Sequence, residues 1–175
     1  MRYAAYVLTA LALAASLPAA AQQTSSANDM FAGFQNQSED PIEVNSENLE
    51  VYEEGDQRVT VFSGNVVVTR GNTTMKAASL KLFSPLSTNA AEAKADAFTR
   101  IEAEGDIWVN SGDQTVTGKV AVVDMPAQTI TLSGGVVLTQ GGNVLTGTRL
   151  VVNLATGRAR VEGSTRGVFT PGSAN

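Results

Sequence analysis

The sequence predicts an all-β protein: bent antiparallel strands in strand-pair repeats, folded as two sheets over one another like a V or a flattened barrel. Three observations predict it. A phrase centred on one glycine recurs at Gly105, Gly134 and Gly163, each 29 residues apart, with a first copy at Gly64. Short runs of Val, Ile, Thr and aromatic residues alternate with polar ones and are punctuated by glycine, as in strands. No segment after residue 40 keeps the 3.6-residue period of a helix, an Ala-rich stretch at 89–98 being the weak exception.

The N-terminus comes first in order. Met1-Arg2-Tyr3 precedes an apolar run from Ala4 to Leu17 and an Ala19-Ala20-Ala21 end. A positive start, a short apolar core and small residues at the end describe a cleavable secretory signal, here residues 1–21. The run has 14 residues, short of the ~20 that cross a bilayer. The mature chain is therefore expected in a bacterial periplasm. Residues 22–40 are polar apart from Met30, Phe31 and Phe34 and are expected to form a flexible arm.

The folded domain is expected over residues 41–170, with 171–175 as a tail. Its copies read Phe62-Ser63-Gly64-Asn65-Val66-Val67-Val68, Ala103-Glu104-Gly105-Asp106-Ile107-Trp108-Val109 and Leu132-Ser133-Gly134-Gly135-Val136-Val137-Leu138. Seven residues on stands a second glycine (Gly71, Gly112, Gly141), and thirteen on a small residue (Ala77, Gly118, Gly147). The second glycines sit in polar turns, so each copy is an outgoing and a returning strand. The glycines inside strands mark bulges where a long strand turns a corner. The first copy carries 12 extra residues, expected as an exposed loop from Ser84 to Asp96.

Alternation picks out the inner face. On the outgoing strands it carries Val66 and Val68, Ile107 and Val109, Val136 and Leu138. On the returning strands it carries Leu80 and Leu82, Ala121 and Val123, Leu150 and Val152, and it turns Lys81 and Arg149 outward. Trp108 falls on the outward parity, a sheet-surface aromatic.

Composition removes whole classes of chemistry. There is no cysteine and no histidine, which excludes disulfide frameworks, thiol nucleophiles, Ser-His-Asp triads and histidine metal sites. Net charge is −5 at pH 7, and −6 once Arg2 leaves with the leader, which disfavours a nucleic-acid partner. The acidic pairs Glu39-Asp40 and Glu53-Glu54 are adjacent in sequence and point apart on a strand or turn. The glycine pairs lack the strand–loop–helix setting of a phosphate loop. No enzyme, cofactor or metal is expected.

Charge is also divided along the chain. Residues 39–56 hold eight acids, among them Glu43, Glu47 and Glu50, and no base. Residues 149–166 hold Arg149, Arg158, Arg160 and Arg166 against Glu162 alone. If the repeats stack in order, these segments form opposite open edges, acidic and basic, and copies meeting head to tail would be complementary.

Three segments carry a family resemblance: Pro41-Ile42-Glu43-Val44-Asn45-Ser46 with Leu49-Glu50-Val51, then Val61 to Gly71, then Met75-Lys76-Ala77-Ala78-Ser79-Leu80. Over residues 41–163 the chain resembles the OstA-like domain of the LptA family, the periplasmic bridge of lipopolysaccharide transport. The resemblance implies a bent β-jellyroll whose apolar interior takes lipid A acyl chains, with Ile42 and Val44 on the lipid path. It implies a domain open at both ends, and Phe62 and Leu132, also read on the inner face, join the expected lining. It also implies head-to-tail stacking, between LptC-like and LptD-like jellyroll domains of the two membranes. The LptC sibling keeps its N-terminal helix, which the Ala-rich cleavage site argues against. The LptD sibling continues into a large barrel. The alternative from another class is a ligand-free β-repeat polymer of the cell envelope; lipid binding separates the two.

Overall fold

The computed structural model describes residues 40–86 and 98–170. The expected leader, residues 22–39 of the expected arm, residues 87–97 of the insertion and the expected tail lie outside the described residues. The chain runs β1 (Glu43–Asn45), β2 (Asn48–Glu54), β3 (Gln57–Arg70), β4 (Thr73–Pro85), β5 (Arg100–Ser111), β6 (Gln114–Asp124), β7 (Thr129–Gln140), β8 (Asn143–Asn153), β9 (Arg158–Glu162) and β10 (Arg166–Val168). All ten belong to one antiparallel sheet, and each long strand pairs with its chain neighbours. β1 and β2 both lie on β3 at one edge, and β9 and β10 both lie on β8 at the other. The sheet does not close.

What bends it is the repeated glycine. In each outgoing strand the glycine and the residue after it are both left-handed: Gly64 and Asn65 (φ 81 and 47), Gly105 and Asp106 (81 and 40), Gly134 and Gly135 (91 and 80), Gly163 and Ser164 (72 and 46). Glycine, asparagine and aspartate are the residues that reach this region most readily. The returning strand rounds the same corner with one residue fewer, so Ser63 and Val66 face Ser79 and Ala77. The shift recurs at Glu104/Ile107 and Ser133/Val136. The two expected sheets are thus two layers of one hydrogen-bonded sheet, folded along a line of aligned corners.

These corners are tight. A Cβ on Gly105 would stand 2.7 Å from the Ala78 Cβ, on a backbone at φ +81. Gly105→Ala is therefore expected to cost about 1–3 kcal/mol. Urea unfolding should register this as a lower midpoint with an unchanged slope.

Between the layers lies the core. Val66, Val68, Leu80, Ile107, Leu132, Val136, Leu150 and Val152 are buried in one cluster, with Phe62, Leu82 and Leu138 packed against it. Register puts each on the inner side: Val44, Val68, Met75, Val109, Val116, Leu138 and Leu145 form one row. At the turn end of this layer the inner face becomes polar. Arg70, Thr73 and Gln114 are buried there; Arg70 Nε donates to the Asp40 carbonyl at 3.2 Å and Thr73 Oγ1 to Ser111 Oγ at 3.0 Å. Outside, Trp108 stands between Lys76 and Thr117, with the Lys76 ammonium 5.2 Å from its ring centre. Lys81 stands in an outward row between Val61 and Glu102.

One boundary needs correction. The expected loop began at Ser84, but β4 continues through Ser84 and Pro85, which pair with Arg58 and Gln57 of β3. Pro85 is tolerated because it is the terminal residue of the strand.

Candidate functional site

The interior holds an apolar cavity of about 90 Å³. Its lining runs from Ile42 and Val44 at β1 to Ile130 and Leu132 on β7, and a pair of facing alanines makes room for it. Ala103 on β5 stands opposite Ala121 on β6, and both line the space. Elsewhere along the corner a large residue covers a small one. Leu132 lies over Gly118, where a Cβ would come within 2.7 Å of it. Val161 lies over Gly147 in the same way. Where Ala103 faces Ala121 both partners are small, so the filling residue is missing and a void results.

Of the expected lining residues, Ile42, Val44, Val68, Leu80, Leu82, Ile107 and Leu132 border this cavity. Phe62, Val66, Val136, Leu138, Leu150 and Val152 do not; they are in or against the close-packed core. The cavity thus spans β1 to β7, and no residue of β8 borders it. Met75, Phe98, Ile101 and Ile130 also line it and were missed as lining; Ile101 and Ile130 carried the same inward parity as Ala121 and Val123.

The cavity reaches the β1 edge at Ile42 and Val44. Ile42 borders the cavity and is 46% exposed. Beside it Leu49 and Val51 pair with Phe62 and Thr60, which sets them on the inner side, yet they are 61% and 54% exposed. Inward apolar surface thus runs to this edge and stops uncovered by any described strand. The far edge exposes Phe169 at 72%.

Charges divide as the sequence suggests, with two exceptions. Glu43 and Glu50 are exposed on β1 and β2, and Arg158 and Arg160 on β9, with Arg160 3.8 Å from Glu162. Glu47, expected as a free edge acid, instead accepts a hydrogen bond from Asn65 Nδ2 and lies against Gly64 at the first corner. Arg149 is not on the edge at all: it lies on β8, one strand in, because β9 pairs over it through Glu162. At the second and third corners Lys119 and Asp106 form an exposed ion pair at 2.7 Å. The hydrogen bond between them, then their charges, hold the Asp106 carboxyl below the usual carboxylate range and raise the Lys119 ammonium.

Comparison with known proteins agrees with this architecture. Residues 43–158 match the family described as LptA/(LptD N-terminal domain) LPS transport protein. An uncharacterized protein of Rhizobium meliloti (strain 1021) is 32% identical over 156 residues, covering 89% of this chain and 83% of that one. Among solved structures, LptH, the LptA homologous periplasmic component of the conserved lipopolysaccharide transport device from Pseudomonas aeruginosa, superposes with a TM-score of 0.58. It is 17% identical, and the match covers 76% of this chain and 97% of that one, a likeness of fold. On these matches and on its bent, open, all-β sheet, the chain belongs to the LptA/LptD N-terminal domain family of LPS transport proteins.

Proposed function

We propose that this chain is a non-enzymatic periplasmic carrier of lipopolysaccharide, which holds acyl chains between its two layers and passes them along a head-to-tail assembly. The observation that carries this is the wholly apolar cavity whose lining reaches the exposed β1 edge at Ile42. An interior lined by hydrocarbon side chains favours alkyl chains over polar ligands. The phosphate-bearing headgroup would stay outside, in water. Acidic and basic edges at opposite ends of the sheet set one polarity of contact, toward further copies and toward jellyroll domains of the LptC and LptD kind.

Photo-crosslinking in cells tests the reading. A crosslinking side chain at Ile42 or Leu132 should capture lipopolysaccharide, and one at outward Lys81 should not. Equal capture at all three positions, or none at any, would remove the interior as the lipid path. The second outcome favours a ligand-free structural polymer, for which the closed packing around β8 speaks.

A further inference from the structure

The ridge of corners on the outer side of the sheet has a gap. Each outgoing glycine is covered from a neighbouring returning strand: Glu47 lies against Gly64, Lys119 against Gly134 and Thr148 against Gly163. Against Gly105 stands a methyl group, that of Ala78. On either side of the gap the ridge is tied, Asn65 to Glu47 and Asp106 to Lys119. Between these two pairs the short side chain leaves an open cleft of about 450 Å³. Asn65 and Val67 of β3 and Asp106 of β5 wall it, and Lys76 and Ala78 of β4 form its floor. Small-ligand clefts span roughly 300–1,000 Å³, so the space suffices for a ligand.

The face that continues from this cleft is almost without charge. The outward row through Lys76 runs on as Trp108, Thr117, Val137 and Thr146. The row beside it reads Thr74, Asn110, Thr115 and Thr139. Lys76 is the only charged residue among them. The outer face of the other layer is built oppositely, with Lys81 beside Glu102, Arg100 beside Asp124 and Arg149 beside Glu162. Hydroxyls, amides and an indole with little charge suit a neutral polyhydroxyl ligand. An ionic partner finds its counter-charges on the other layer.

We infer that this cleft is a saccharide site, which takes a strand of neutral, β-linked N-acetylamino sugars such as fills the bacterial wall. A pyranose ring has hydroxyls and amides at its edge and C–H groups on its faces. Its hydroxyls donate to Asn65 Oδ1 and Asp106 Oδ2, the oxygens that the ties to Glu47 and Lys119 leave over, and accept from Lys76 Nζ. One C–H face rests on the indole of Trp108, whose electron-rich face attracts it. The Lys76 ammonium lies 5.2 Å from that ring's centre. An exposed contact of this kind is weak, so the ligand draws the ammonium to its own oxygens and takes the ring face. The sheet itself stands between the cleft and the apolar interior. The sugars of a lipid held inside are therefore not presented here, and a separate strand is the occupant.

The chain has a single tryptophan, so its fluorescence reports on the site. The full chain as secreted is titrated with chitotetraose, a soluble β-linked oligomer of N-acetylglucosamine. Trp108 emission should shift saturably, half-saturated at about 1 mM, and insoluble wall sacculi should pull the protein down. Ala78→Lys restores the side chain that the next copy carries as Lys119 and fills the cleft while leaving Trp108 in place. It should weaken both signals at least about tenfold with an unchanged melting temperature. Should that variant melt early, Ala78→Thr, after Thr148, serves the same purpose with a smaller loss. Absence of the shift, or of the pull-down, overturns the site. So does undiminished binding by a stably folded Ala78 variant. The water-soluble oligosaccharide released from lipopolysaccharide by mild acid should bind more weakly than chitotetraose. Tighter binding of it overturns the wall as the source. None of these readouts depends on lipid in the interior.

Discussion

Val66→Asp is expected to leave no cooperatively folded protein at 37 °C. Val66 is 1% exposed and belongs to the buried cluster between the layers. A carboxylate there has no partner, and an uncompensated buried charge costs about 3–5 kcal/mol. A domain of this size has only about 5–15 kcal/mol in total. Val137→Asp is the matched control: Val137 is 37% exposed, on the outward parity of β7. It should stay within about 0.5 kcal/mol of the parent. Circular dichroism during heating checks both. A Val66→Asp variant that melts cooperatively within a few degrees of the parent would mean that the two layers do not enclose this residue.

The second large effect is on ligand rather than on fold. Ala103→Leu should fill the cavity and abolish lipid capture at Ile42 while leaving the protein folded. Ala103 lines the cavity, so the three carbons that leucine adds enter it directly. Burial of the added methylenes should offset any strain, for a net change in stability within about 1.5 kcal/mol. The comparison is between crosslinking yield at Ile42 and melting temperature in the same preparation. Undiminished capture by a stable Ala103→Leu protein would place the acyl chains elsewhere than in this cavity.

The fold was legible because the repeat is. Gly105, Gly134 and Gly163 mark three corners in register, and alternation on either side of them separates inner from outer positions. Parity survives the outgoing corner, where Thr60, Phe62, Val66 and Val68 all face inward. It reverses on the returning strand, between Ala77 and Leu80. Apolarity alone, not counting, carried the reading across that second corner. The site was less legible. Whether an inner position is core or cavity depends on what stands across from it, and the Ala103–Ala121 pair is visible only once strands are in register. Glu47 reads as one more edge acid until its bond to Asn65, 18 residues on, is seen. Arg149 reads as edge until β9 is placed beyond it.

The alignment of corners has a consequence for growth of the molecule. Because every copy turns at the same phase, the folded sheet has the geometry of an extrusion: its cross-section is fixed and only its length varies. Duplicating one 29-residue copy would add two strands, about 10 Å of span at the usual strand spacing. It would leave both end faces as they are, the acidic one with its returning strand and the basic one with its outgoing strand. Deletion of a copy would shorten the span by the same step. The length of such a sheet is therefore free to change by duplication or loss of whole copies, without change at either end.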